Sequence, residues 1–260
     1  MPLDQTQFNH LDAAATSLTR ALHSENIRYL FLGGYATGLI GGNRITEDVD
    51  IVTEIDCREL LLKRPGFTRS TDGRLAYDYR GTKVYVDVMG PNNRTWHIPD
   101  PRATQVYNVN PEDRPGRRLN TSMSIVHPSV LVLTKLKCWS TAEMATRQAY
   151  HQRARTDLQD ILTILRWLEM NNLTINFAGL SRVPKCELLS FLPKLYWTQK
   201  EVRPHLAATL TPEELRDVLN TRLADKEVWS LYSSRFRSGS SGGSGGSGRG
   251  SAKYEALLSL

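Results

Sequence analysis

Apolar positions at helical spacing open the chain. Leu11, Leu18 and Leu22, with Ala13, Ala14, Ala15 and Ala21 as strong helix formers, predict a helix over 8–25. Residues 27–32 are apolar except for Arg28 and stop at Gly33, which predicts a short buried strand. A short helix over 35–40 follows, its end marked by Gly38, Gly41 and Gly42. Over 48–53 polar and apolar residues alternate. Asp48 and Asp50 therefore share one face of a strand while Val49 and Ile51 share the other, the face that belongs against helices. A helix over 58–62 ends near Pro65-Gly66, and two strands follow at 75–79 and 83–89. In the second, Val84, Val86 and Val88 form one face and Tyr85, Asp87 and Met89 the other, so a third carboxylate lies opposite an apolar stripe.

Periodicity then fades. Residues 90–118 are rich in Pro, Asn, Asp and Arg and read as a long loop with one short strand at 105–109. A strand at 119–126 precedes His127-Pro128-Ser129, which opens an apolar helix over 130–139, because proline is accepted in a first turn. Residues 140–152 fit either a connection or more helix. Leu158, Ile161, Leu162, Leu165 and Leu168 line one face of a helix over 156–170 that Asn171-Asn172 ends. Further helices are predicted at 185–192, interrupted by Pro193, and at 200–208, 212–223 and 225–235, with Thr211 capping the start at Pro212. Trp167, Trp197 and Trp229 read as core anchors of this helical part. The expected architecture is an α/β (α+β) mixed sheet over 1–126, helices on one face and the site on the other, with a helical domain over 127–237. Residues 238–251, almost all Gly and Ser, behave as a flexible linker ahead of a short tail at 252–260.

Composition narrows the class without naming a chemistry. The chain has 260 residues, 40% of them hydrophobic, with a net charge of +6, which permits polyanionic partners without requiring them. Cys57, Cys138 and Cys186 lie far apart, which argues against a disulfide framework and a zinc site and suits a reducing, cytoplasmic setting. No apolar run reaches the length of a membrane helix. The six histidines show no metal-ligand spacing; His97 beside Trp96 reads as packing.

The chemistry sits in Gly33-Gly34, Asp48-x-Asp50 and Asp87. Three carboxylates on one face of adjacent strands repel one another unless a cation neutralises them. Mg²⁺ takes one or two carboxylates and keeps positions for water and phosphate oxygens. Glycines let backbone N–H groups approach phosphates closely. Asp-x-Asp alone is common; joined to the glycine pair and a later third carboxylate the pattern is much more specific, and it reads as a metal-dependent nucleotidyl-transfer site.

These residues resemble the nucleotidyltransferase superfamily. Gly33-Gly34-Tyr35-Ala36 with Arg44-x-Thr46-x-Asp48-x-Asp50 is similar to its AbiEii-type branch, which includes toxin and abortive-infection enzymes. Lys135-Leu136 and the run Arg153-Ala154-Arg155-Thr156-Asp157 are similar to that branch's later motifs. The resemblance runs from about residue 27 to about 170; residues 171–237 match no motif. It implies that Asp48, Asp50 and Asp87 hold Mg²⁺ or Mn²⁺ and that Asp87 helps deprotonate an acceptor hydroxyl. It implies that Gly33, Gly34, Arg44 and Thr46 bind the nucleotide, Lys135 neutralises phosphate charge and Asp157 orients groups at the site. Tyr35 replaces the Ser or Thr of some members, which removes one phosphate-binding hydroxyl. Arg44 fits loop fixation as well as substrate contact, and Lys137 competes with Lys135 from another face of the helix. The implied reaction moves a nucleoside monophosphate from an NTP to an acceptor hydroxyl on RNA (a tRNA end among the candidates), a protein or a small molecule. The rival reading is an inactive relative that keeps the fold as a nucleotide-binding or protein-interaction module.

Overall fold

The computed structural model describes residues 8–43, 46–90, 98–143 and 148–221. Arg44, Trp96, His97, Trp229, the helix predicted at 225–235, the linker and the tail lie outside the described residues. Leu11, Ala14, Ala15, Leu18 and Leu22 form the buried stripe of α1 (Asn9–Ser24). Asn26 ends it at φ 55°, and the Ile27 N–H reaches back to the Leu22 carbonyl at 3.0 Å. That left-handed stop turns the chain into β1 (Tyr29–Leu32), all four residues buried. Arg28 stays outside the strand, its N–H donated to Glu54.

Gly33 takes φ +68° and is itself the first residue of α2 (Gly33–Leu39), so the glycine pair starts the helix and no separate turn precedes it. β2 (Asp48–Thr53) and α3 (Arg58–Leu61) fall where alternation and periodicity put them. β3 (Phe67–Arg69) was not legible, because only Phe67 of its three residues is buried. β4 (Leu75–Tyr79) and β5 (Thr82–Met89) form a hairpin around Arg80 and Gly81, both at positive φ, the geometry of a two-residue turn that matches strand twist. β6 (Val106–Val109) and β7 (Met123–Val126) complete a seven-stranded sheet in the order β3-β4-β5-β2-β1-β7-β6. β1–β7 and β2–β5 are parallel pairs and the other neighbours antiparallel. This is the mixed α/β architecture the pattern predicts. α1 packs against β2, β4, β5 and β7.

α4 (Pro128–Glu143) and α5 (Gln148–Met170) lie along one another. The Ser129 N–H donates to His127 Nδ1 at 3.2 Å, so the histidine caps α4. α5 starts well before residue 156 and stops at Asn172, φ 52°, with the Leu173 N–H on the Leu168 carbonyl. α6 (Lys185–Leu189) is followed by α7 (Leu192–Thr198), in whose first turn Pro193 sits, so this proline opens a helix after ending one. α8 (Arg203–Thr209) and α9 (Pro212–Asn220) follow, the last opened by a Thr211–Glu214 capping box. Trp167 packs against Tyr107 and His127, as a core anchor should. Trp197 departs from that expectation: it is 41% exposed, because α7 turns Leu192 and Leu195 inward and leaves its last turn outside. Among the described residues no helix is long and apolar enough to cross a membrane.

One buried ion pair ties these parts together. The Arg117 guanidinium donates to both oxygens of Asp12, at 2.9 and 2.5 Å, and lies 4.2 Å over the Phe8 ring. The Tyr35 hydroxyl donates to the same carboxylate at 3.1 Å. The segment ahead of β7 is thereby fastened to α1 and to the helix that follows the glycine pair. Removing one partner strands the other charge in the core. Asp12→Ala should therefore lower the unfolding free energy by about 3 kcal/mol in denaturant titration. The Asp12→Ala/Arg117→Met double variant should lose less than the two single variants added; strict additivity would contradict the pairing.

Candidate metal and nucleotide site

The parallel register of β2 and β5 sets Asp50 directly beside Asp87 and Asp48 beside Tyr85. Alternation turns Val49, Ile51, Val86 and Val88 into the core and leaves the three aspartates half-buried on the opposite face. One carboxylate oxygen from each of Asp48, Asp50 and Asp87 lies within 4.8 Å of the other two. β1 runs antiparallel to β2 and pairs Leu32 with Asp50, which brings Gly33 up against that carboxylate. A Cβ on Gly33 would fall 1.8 Å from Asp50 Oδ2, and its φ of +68° disfavours any side chain. The first glycine of the pair is thus required sterically by Asp50, a role the sequence did not disclose.

Nearby cations do not balance the charge on Asp50. Burial, then the neighbouring Asp48, pushes the Asp50 carboxyl up to about 7; the fields of Lys135 and Arg153 oppose this and Asp87 adds to it. The hydroxyl of Thr46, a predicted nucleotide contact, donates to Asp48 Oδ1 at 2.7 Å and orients that carboxylate. Oxygen ligands from three carboxylates, one of them starved of compensating charge, fit a hard divalent cation such as Mg²⁺ or Mn²⁺.

Across from the triad, α4 and α5 supply a second charged group. The Lys135 ammonium lies 2.8 Å from Asp160 and 3.3 Å from Asp157, and all three side chains are buried. Burial raises the Asp157 pKa against the pull of Lys135 and Arg153. Asp157 Oδ2 has no hydrogen-bond partner among the described residues and only a 3.8 Å ion pair to the exposed Arg153. Lys137 points elsewhere, 3.8 Å from Glu187, which separates it from Lys135. Gly34 is buried inside α2, and Tyr35 is buried with its hydroxyl on Asp12, so it is no phosphate ligand.

Two residues escaped the sequence reading of the site. Asp160 holds Lys135; its signal was the i, i+3 spacing from Asp157 on one helix face. Arg74 donates to both oxygens of Asp87, at 3.2 and 3.4 Å. The β4–β5 pairing runs Leu75↔Val86 and Ala76↔Tyr85, so Arg74 falls opposite Asp87 once the Arg80-Gly81 turn is recognised. In metal-free buffer, Asp50→Asn should melt about 4 °C above the wild type, because it removes a repelled charge. Millimolar Mg²⁺ should raise the wild-type Tm and leave the variant nearly unmoved. A variant that melts lower than wild type without metal would contradict the charge reading.

No protein-family model matches the chain, and no curated protein does. Among solved structures it is similar to an antigenic nucleotidyltransferase-like protein from Paracoccidioides brasiliensis, with a TM-score of 0.57 and 21% identity over 77% of this chain and 94% of that one. The antibiotic-resistance factor ANT(2'')-Ia also matches, with a TM-score of 0.35 and 13% identity over 64% of this chain and 90% of that one, too distant to add weight. By architecture, then, the chain has a nucleotidyltransferase-like fold.

Proposed function

We propose that the protein is a metal-dependent nucleotidyltransferase of the AbiEii-like kind, transferring a nucleoside monophosphate from an NTP to an acceptor hydroxyl with release of pyrophosphate. The observation that supports this most is the Asp48, Asp50 and Asp87 cluster on adjacent strands, with Asp50 raised to about 7 by burial and by the neighbouring Asp48. A bound divalent cation would polarise the α-phosphate and acidify the attacking hydroxyl.

The chain's own groups supply the rest. Asp48, held by Thr46, and Asp50, seated against Gly33, would be the principal ligands. Asp87 would complete the set and accept the acceptor's proton. Lys135 would neutralise phosphate charge, its direction fixed by Asp157 and Asp160. Asp157 Oδ2, which lacks a hydrogen-bond partner among the described residues, would orient the incoming hydroxyl. Gly34 and Arg44 would contact the nucleotide. Catalysis would consist of positioning and charge stabilisation in a prearranged site. The net charge of +6 is compatible with RNA as acceptor, beside proteins and small molecules.

Labelled NTPs incubated with Mg²⁺, total RNA and protein fractions test the proposal. Label should appear on one acceptor, vanish with EDTA and with Asp48→Ala or Asp50→Ala, and fall about a hundredfold with Lys135→Ala. Magnesium-dependent nucleotide binding without transfer to any fraction would favour the non-catalytic module; no nucleotide binding would sink both readings.

A further inference from the structure

Arg74 is a cation set beside the carboxylate cluster by three independent contacts. Its guanidinium lies 4.1 Å over the Tyr85 ring, and Tyr85 is the register partner of Asp48. One guanidinium nitrogen reaches both Asp87 oxygens. Its backbone is pinned by a tight turn, with the Ser70 N–H and hydroxyl both on the Arg74 carbonyl at 2.8 Å. Burial works against its charge, yet Asp87, with Asp48 and Asp72, outweighs that and raises its pKa. The pair is a strained match in one respect: a single nitrogen shared at 3.2 and 3.4 Å is not the two-pronged fork that makes arginine–carboxylate pairs strong. Both side chains are also about 40% exposed, at 40% and 43%, so solvent screens the attraction and the contact is easily exchanged.

We propose that Arg74 is the internal counter-ion of Asp87, which it surrenders when a metal-bound nucleotide arrives and then transfers to that nucleotide's phosphate oxygens. The inference rests on the nucleotidyl-transfer reading of the site. A guanidinium on Asp87 repels a divalent cation approaching the same carboxylate. Metal without nucleotide is therefore held weakly, by Asp48 and Asp50. A triphosphate brings negative charge that draws Arg74 off Asp87 by a short movement over the Tyr85 ring, and Asp87 becomes free to join the metal. The device makes metal and nucleotide bind together in preference to either alone, and reciprocity requires each to strengthen the other.

The test compares wild type, Arg74→Gln and Arg74→Lys. Mn²⁺ binding is followed by electron paramagnetic resonance, and binding of a non-hydrolysable NTP analogue at saturating Mn²⁺ by calorimetry. Without nucleotide, Arg74→Gln should bind Mn²⁺ about fivefold more tightly than wild type. With saturating Mn²⁺ it should bind the analogue at least about tenfold more weakly. Arg74→Lys, which keeps the charge, should fall between on both. A purely structural arginine would weaken both together, so opposite signs separate the two roles. Unchanged or weaker Mn²⁺ affinity in Arg74→Gln, or an unchanged analogue affinity, overturns the inference alone. A wild-type protein that binds Mn²⁺ but no analogue overturns the nucleotidyl-transfer reading and the inference with it.

Discussion

Mutual repulsion among three carboxylates is the constraint around which this fold is arranged. Asp48, Asp50 and Asp87 place oxygens within 4.8 Å of one another, and Asp50 lies where burial and Asp48 push its pKa to about 7. Two strands in parallel register impose that closeness, and their opposite faces, Val49 and Ile51 on one strand and Val86 and Val88 on the other, are buried in the core. The sheet cannot slip to relieve the repulsion, because a shift of one residue would turn the valines out and the aspartates in. The apolar side thus stabilises what the polar side opposes. Relief has to come from cations: Arg74 on Asp87, the fields of Lys135 and Arg153, and a divalent ion of the kind the donor set fits.

The surroundings hold this arrangement from two sides. Gly33 yields the space for Asp50, and the helix it starts is anchored by Tyr35 to the buried Asp12–Arg117 pair. On the other side, Lys135 is gripped by Asp157 and Asp160 from the neighbouring helix. Both charged networks are buried, so their geometry is fixed before any ligand arrives, which is the condition for electrostatic preorganisation.

Much of the site's first half was legible because strand alternation is a short-range property. The positions of Asp48, Asp50 and Asp87 opposite Val49, Ile51, Val84, Val86 and Val88 follow from a period of two and needed no tertiary information. The same holds for α1, β2 and the Thr211 cap. What failed to show was long-range. Arg117 and Asp12 are far apart in sequence, and nothing local marks either as buried. Arg74 belongs to no local pattern, and only the hairpin register sets it opposite Asp87. β3 has one buried residue, too little for a pattern, and the exposure of Trp197 depends on which face of a seven-residue helix the neighbours cover. Tyr35 carries its hydroxyl to Asp12, a long-range contact that nothing in the local sequence announces.

The central claim is that the aspartate cluster is a cation site that works with a nucleotide. Anomalous diffraction from crystals grown with Mn²⁺ and a non-hydrolysable NTP analogue tests it most directly. The account predicts manganese at the carboxylates of Asp48, Asp50 and Asp87, with the phosphates of the analogue beside it. Nucleotide bound elsewhere, with no manganese at the three aspartates, would contradict it.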